Sequence, residues 1–195
     1  PGVTRGFRDD ERPGAAQLYW DAFGAKLGRV LGPTARGTAF VADVMDPDFA
    51  LCVRAPDGTL LGLAGFKTAD GALVDGDWAD VRRHYGVLGG LMRLPFLLLL
   101  ERKPRPGELL MDGILVAAEA RGQGLGTRLL DAIKAEALAR DAASVRLDVI
   151  DINARARALY EREGFRAGKT VEIGPLRAVF GFEAATEMVW TAPAP

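Results

Sequence analysis

The stretch that most constrains this 195-residue chain is a loop with three glycines in five positions, Arg121-Gly122-Gln123-Gly124-Leu125-Gly126-Thr127. An apolar, strand-like segment at 109–116 precedes it. Leu125, Leu129, Leu130, Ile133 and Ala137 follow at helical spacing, so the helix begins inside the loop. Glycines there let the backbone turn tightly and bring several N–H groups to bear on one point. With the positive end of a helix dipole added, such a loop is an anion site suited to a pyrophosphate. Arg121 and Arg128 add local positive charge.

Three readings of the loop compete. A Walker phosphate loop requires a lysine after its last glycine, and none follows Gly126, which excludes it. A dinucleotide fingerprint places its third glycine one residue later, although Asp141 and Asp148 stand at tolerable distance for a ribose-binding acid. A plain glycine turn entering a helix also fits the loop taken alone.

Composition narrows the class. The 25 Lys and Arg nearly cancel 26 Asp and Glu, which argues against whole-protein affinity for nucleic acid or an anionic membrane. A single cysteine, Cys52, makes no internal disulfide, and a single histidine, His84, supplies no His-rich metal site. A metal-independent protein of a reducing compartment is expected, with Cys52 as core. Residues 3–12 are too charged for a secretory leader. The apolar run 86–100 contains Arg93 and Pro95 and falls short of the roughly 20 clean residues of a membrane span.

The order of elements is mixed. A short strand is expected at 3–7, and one or two helices over 11–31 from Leu18, Ala22, Phe23, Leu27, Val30 and Leu31. Strands at 49–53 and 60–66 flank the Asp57-Gly58 turn signal. Val81, Tyr85, Leu88 and Met92 recur helically over 77–102, with Pro95 imposing a break. Further elements follow as strand 109–116, helix 126–140, strand 145–150, helix 154–163 closed by Gly164, and strands near 170–173 and 187–190. This is an α/β (α+β) pattern in one domain, 1–195, with a helical insertion at 77–106 and a disordered tail at 192–195.

Two separate motifs stand out. One is Arg-Gly-Gln-Gly-Leu-Gly at 121–126 after a strand ending Ile114-Leu115-Val116. The other is Asn153 followed by Ala154-Arg155-Ala156-Arg157-Ala158-Leu159-Tyr160-Glu161-Arg162-Glu163-Gly164-Phe165. Together they resemble the GNAT superfamily of acyl-CoA-dependent N-acetyltransferases, closely over 109–165. The likeness implies a mixed, mostly antiparallel sheet of about six to seven strands flanked by helices, with the insertion between the third and fourth. It also implies acetyl-CoA as acyl donor, without a metal.

The resemblance assigns roles by position. Gly122, Gly124 and Gly126, with Arg121, Gln123, Leu125 and Thr127, would hold the CoA pyrophosphate. Val116 would end a splayed strand whose backbone pairs with the pantetheine arm and polarises the thioester carbonyl. Asn153 would contact the cofactor arm, and Tyr160 would be the general acid. Asp112 stands four residues before Val116, where some members carry a glutamate as general base. Ala118 departs from the pattern, since members often have proline there, and this affects the turn before the loop.

The chemistry explains these residue types. An amine attacks a thioester only when uncharged, and lysine-like amines have pKa near 10.4, so a base or water path must take the proton. Asp112 shares strand parity with Ile114 and Val116, so all three are expected on one face, where burial raises a carboxylate pKa. Being one methylene shorter than glutamate, it is expected to work through a bridging water. A strand-end aspartate held by backbone N–H groups fits equally. The Tyr160 hydroxyl suits protonation of the departing thiolate, whose thiol has pKa near 8.5, or it is a tyrosine packed under the sheet. Asn153 also reads as a helix N-cap. A backbone N–H near Val116 would meet charge developing on the carbonyl oxygen.

The insertion at 77–106 reads as a lid, as an oligomer contact through Leu94, Phe96 and residues 97–100, or as a helix folded back on its own core. Trp20, Phe23, Trp78 and Tyr85 are candidates for an acceptor pocket or for core. Together these expectations describe direct acetyl transfer from acetyl-CoA to a primary amine, without a covalent enzyme intermediate. The acceptor is a small molecule or a protein, in the cytoplasm, and the enzyme is a candidate homodimer with no nucleic acid or membrane partner. Two other readings stay open at this point, a non-catalytic CoA-binding regulatory module and a nicotinamide-nucleotide-binding oxidoreductase.

Overall fold

One seven-stranded sheet organises the molecule, in the order β1-β2-β3-β4-β5-β7-β6. The strands are β1 (Val3–Arg5), β2 (Ala50–Arg54), β3 (Leu60–Lys67), β4 (Glu108–Val116), β5 (Ser144–Ile150), β6 (Arg166–Glu172) and β7 (Ala184–Thr191). The computed structural model describes residues 2–193, without the side chains of Lys26, Leu99, Leu100 and Val179. The last two residues of the expected tail, 194 and 195, and the Leu99 and Leu100 side chains of the expected oligomer contact therefore lie outside the described residues.

All neighbouring strands run antiparallel except β4 and β5. The β2–β3 turn forms where Asp57-Gly58 placed it: Gly58 has φ +90° and donates its N–H to the Ala55 carbonyl at 3.0 Å. The single parallel pair is short. Glu108, Leu109 and Leu110 pair with Ser144, Val145 and Arg146, and beyond them no ladder joins the two strands, which part into a wedge. A buried ion pair clasps the closed end, with Arg146 Nε 2.8 Å from Glu108 Oε1. Arg146 Nη2 also donates to the Lys103 carbonyl at 2.8 Å.

Helices cover both faces, as an apolar sheet requires. On one side lie α1 (Arg12–Leu31), α2 (Thr34–Val44) and α3 (Trp78–Leu100), whose core includes Trp20, Val41, Val81 and Tyr85 with Cys52, Leu63 and Leu115 of the sheet. On the other lie α4 (Leu125–Ala139) and α5 (Ala154–Arg162). There Leu129, Leu130 and Ile133 pack on Ala64, Phe66, Met111 and Val145. Truncating any of those three fully buried α4 side chains to alanine costs about 2–5 kcal/mol. A short α6 (Arg177–Phe180) precedes β7.

Two local expectations are corrected. Helix α2 was not foreseen; it starts behind Pro33 and buries Phe40, Val41 and Val44. Pro95 does not break α3, which continues through it and is interrupted at Gly86 instead (φ 71°, ψ 174°). Pro95 is exposed, so water can satisfy the carbonyl that loses its helical partner. The insertion folds back on its own core through Val81, Tyr85, Phe96 and Leu97, while Val87, Leu88, Leu91, Met92 and Leu98 remain exposed. Among the described residues, no helix is long and apolar enough to cross a membrane.

Candidate active site

The open end of the β4–β5 wedge is flanked by the loop that leads into α4. Val116 ends β4 and packs against the α4-side core. A single 3-10 turn, Ala118–Ala120, follows, and among the described residues the Ala118 N–H finds no acceptor, so the turn closes with alanine where proline would also fit. Arg121 Nε donates to the Val116 carbonyl at 3.1 Å and ties the strand end to the loop. Gln123 turns its side chain back, donating Nε2–H to the Glu119 carbonyl at 3.3 Å, so only its backbone faces the loop interior.

Gly122 (φ +81°) and Gly124 (φ +75°) adopt the left-handed conformation that other residues resist. Helical hydrogen bonding starts with Arg128 N–H to the Gly124 carbonyl at 3.2 Å. Among the described residues, no backbone N–H from Gly122 to Thr127 finds a protein acceptor. No acidic side chain stands in the first turn of α4 to compete for them. Unpaired N–H groups at a helix start, with the dipole behind them, form an anion cradle.

Helix α5 lies against this cradle. A β-carbon on Gly126 would stand 3.1 Å from Leu159 Cδ2, so the glycine permits the close approach of the two helices. Asn153 is the N-cap of α5: its Oδ1 accepts the Ala156 N–H at 3.2 Å. Its NH2 takes no acceptor among the described residues and stays available. Tyr160 is buried in the α4-side core, its ring 5.9 Å from that of Phe165. Its hydroxyl bonds to no other group among the described residues. Burial pushes the phenol up to about 12.

Asp112 sits elsewhere than strand parity placed it. Gly65 pairs with Gly113 and Phe66 with Met111, so Asp112 is the extra residue of a β-bulge. Met111, Ile114 and Val116 pack on the α4 side, whereas Gly113 faces Phe23 of α1 and Asp112, next to Met111 in the strand, is turned to that same side. The expected shared face is therefore wrong, because one inserted residue reverses the alternation. Burial pushes the Asp112 carboxyl from 3.8 up to about 6, with Lys67 opposing and Asp75 adding to the rise. Among the described residues no backbone N–H donates to this carboxylate, so the reading of a strand-end aspartate held by the backbone is not what the structure holds.

Of the aromatic candidates, Phe23 is the one placed at the β4 bulge, against Gly113. Trp20 is core, and Tyr85 is buried with its hydroxyl donating to the Leu31 carbonyl at 2.7 Å. Trp78 stands half-exposed at the start of α3. Sequence reasoning missed Tyr19, whose ring centroid is 4.7 Å from that of Phe23, and Lys67 and Asp75. The four-residue spacing of Tyr19 and Phe23 on one helix was the available signal. Cys52 is fully buried, and burial pushes its thiol up to about 12, which makes it inert. Among the described residues no group of three or more His, Cys, Asp or Glu is placed to hold a metal. A sheet with one parallel pair also lacks the doubly wound parallel core of a nicotinamide-nucleotide fold, which removes that alternative.

Comparison with known proteins agrees with this fold. The family model described as "Acetyltransferase (GNAT) family" matches residues 13–165. The chain is similar to a GCN5-related N-acetyltransferase from Kribbella flavida, at 18% identity over 98% of each chain with TM-score 0.65. It is similar to an N-acetyltransferase from Staphylococcus aureus Mu50, at 13% identity over 97% of this chain and 100% of that one, TM-score 0.65. A ribosomal-protein-alanine N-acetyltransferase from Brucella melitensis aligns at 18% identity over 97% and 99%, TM-score 0.63. At such identities the solved structures speak for the fold alone.

Proposed function

Since the chain belongs to the GNAT acetyltransferase family, we propose that it moves an acetyl group from acetyl-CoA directly to a primary amine, as one catalytic domain. The observation that carries this reading is the run of unpaired N–H groups from Gly122 to Thr127 beside the open wedge. Acetyl-CoA supplies the activated acyl group as a thioester.

Each residue then has a task. The N–H groups of Gly122, Gln123, Gly124, Leu125, Gly126 and Thr127 hold the pyrophosphate, with Arg121 adding charge at the rim. The free edge of β4 ending at Val116 receives the extended pantetheine arm, and the Asn153 carboxamide contacts it. Asp112, through a bridging water, accepts the proton that the ammonium must lose before its nitrogen can form the C–N bond. As the C–S bond breaks, Tyr160 donates its proton to the leaving sulfur; the second proton that the nitrogen sheds on becoming an amide restores the phenol, and Asp112 passes the first to solvent. A phenol at about 12 is neutral and able to donate throughout the neutral range. No covalent enzyme intermediate is required, and inert Cys52 takes no part.

The acceptor is an amine-bearing small molecule or protein. The outer face of α3 exposes Val87, Leu88, Leu91, Met92 and Leu98, an apolar surface that a second copy of the chain would cover. A homodimer through that face is part of the proposal, in a cytoplasmic setting consistent with the lone buried thiol. Leu88→Arg should then halve the mass seen by sedimentation, and an unchanged mass refutes the dimer.

Thermal shift with acetyl-CoA, with NADPH as control, tests the donor. At 100 times its dissociation constant a ligand stabilises by ~2.7 kcal/mol. A CoA-release assay over a panel of primary amines tests the reaction. A shift with acetyl-CoA and turnover with an amine are expected; binding without turnover of any amine would leave a CoA-binding module and sink the enzymatic reading.

A further inference from the structure

We infer that Lys134 of α4 is a positioning residue for Tyr160, and that it acts by clamping the end of α5. The inference rests on the reading of Tyr160 as the general acid. Helix α5 has nine residues, Ala154–Arg162, too few to hold its shape unaided, and Tyr160 is its buried residue. The phenol hydroxyl has no hydrogen-bond partner among the described residues to aim it. Where it points is therefore set by ring packing and by the seat of the helix. Both are decided at the turn that closes α5. Gly164 (φ +87°) reverses the chain there, and Phe165 donates its N–H to the Tyr160 carbonyl at 2.9 Å. The Phe165 ring then lies 5.9 Å from the Tyr160 ring, tilted by 55°.

Lys134 holds this turn from the other helix. Its Nζ stands 3.3 Å from Glu163 Oε2 and 6.0 Å from the centre of the Phe165 ring, so one ammonium engages both residues flanking Gly164. Asp131, one turn earlier on α4, is a further contact at 3.6 Å, but its carboxylate is largely exposed. The Lys134 and Glu163 side chains are each only 15% exposed, so solvent screens their attraction less than it screens a surface pair. The ammonium also stands at the C-terminal end of α5, where the helix dipole favours a cation. About two turns earlier on α4, Gly126 meets Leu159. Helix α4 thus grips α5 at two points, Leu159 and Glu163, with Tyr160 between them. The cradle and the phenol share α4 as their common reference.

The test combines kcat for a primary amine, acetyl-CoA affinity by titration calorimetry, and the NOE between the Tyr160 and Phe165 rings in the free protein. Lys134→Met keeps the length of the stem and removes the charge. It should lower kcat about 10-fold, leave acetyl-CoA affinity unchanged and weaken the NOE. Lys134→Arg keeps the charge and should retain most of the rate and the NOE. In a Tyr160→Phe background, Lys134→Met should cost no further rate, because it acts through the phenol alone. Circular dichroism confirms folding of each variant. A folded Lys134→Met with wild-type kcat overturns the clamp. So does a loss of the same size in the Tyr160→Phe background, which would mark general damage to the fold. If Tyr160→Phe itself leaves kcat intact, the assignment of the acid fails, and the clamp falls with it.

Discussion

Gly126 of α4 and Leu159 of α5 meet so closely that a β-carbon on the glycine would stand 3.1 Å from Leu159 Cδ2. This contact joins the anion cradle to the helix that carries Asn153 and Tyr160. Alanine gains up to ~1 kcal/mol of helix propensity over glycine, which offsets the small displacement it demands of a flexible leucine tip. Gly126→Ala should therefore stay within about 1 kcal/mol of wild type by chemical denaturation, whereas Gly126→Leu should cost ~2–3 kcal/mol by overpacking. Equal stability of the two variants would show that the helices are not in contact there.

Tyr160→Phe removes one hydroxyl and leaves the ring that packs on Phe165. The expected loss is ~10²-fold in kcat, at the lower bound for a positioned general acid, with acetyl-CoA affinity unchanged by titration calorimetry. Burial holds the phenol at about 12, so wild type should show no alkaline decline from this group up to pH 10. A kcat unaffected by the substitution removes Tyr160 from the mechanism.

Asp112 should carry a stability cost. Its folded pKa, about 6, lies above the ordinary 3.8, so the native state favours the protonated form and ionisation is penalised. The penalty develops as pH rises from about 4 to about 6 and is constant above that. Asp112→Asn should raise stability at pH 7.5 by up to ~3 kcal/mol while lowering activity, and the gain should vanish below pH 4. Calorimetric melts across that range decide it, and a variant no more stable than wild type at pH 7.5 contradicts the desolvated environment.

Acid should loosen the opposite edge of the sheet. Glu11, just before α1, takes Arg54 Nε on Oε1 and Arg54 Nη2 on Oε2, each at 2.7 Å, and this pairing holds its carboxyl at about 2. The stabilisation is complete above the ordinary value of 4.5 and lost as pH falls toward about 2. Glu11→Gln should cost ~2–3 kcal/mol at pH 7, with the difference from wild type closing near pH 2. A difference independent of pH would assign the effect to packing.

The loop and α5 could be read from the chain because their backbone demands are written in residue type. Positive φ requires Gly122 and Gly124, and the N-cap prefers Asn153. The Asp112 bulge was hidden, because strand parity is a local count while the pairing of Gly65 with Gly113 is set by β3. Gly113 inside a strand was the one local hint. Helix α2 escaped because Gly37 lowers its propensity and Pro33 obscures its start; the glycine instead makes room for Trp20. The Tyr19–Phe23 pair reaches the bulge only because α1 is laid across β4, a contact no spacing along the chain encodes.

The extra residue at position 112 works as a phase shifter in the pleat. Upstream, Leu109 and Met111 are in step with the α4 side; downstream, Ile114 and Val116 are in step with it again, and the half-period lost between them is spent on turning a carboxylate toward α1. Deleting one residue there would restore a regular strand with no change in hydrophobic content, and either the acid would leave the α1 side or Val116 would be dragged off the α4 side. Both faces of the sheet thus depend on a single unpaired step, so insertions and deletions in β4 should be far less tolerated than substitutions.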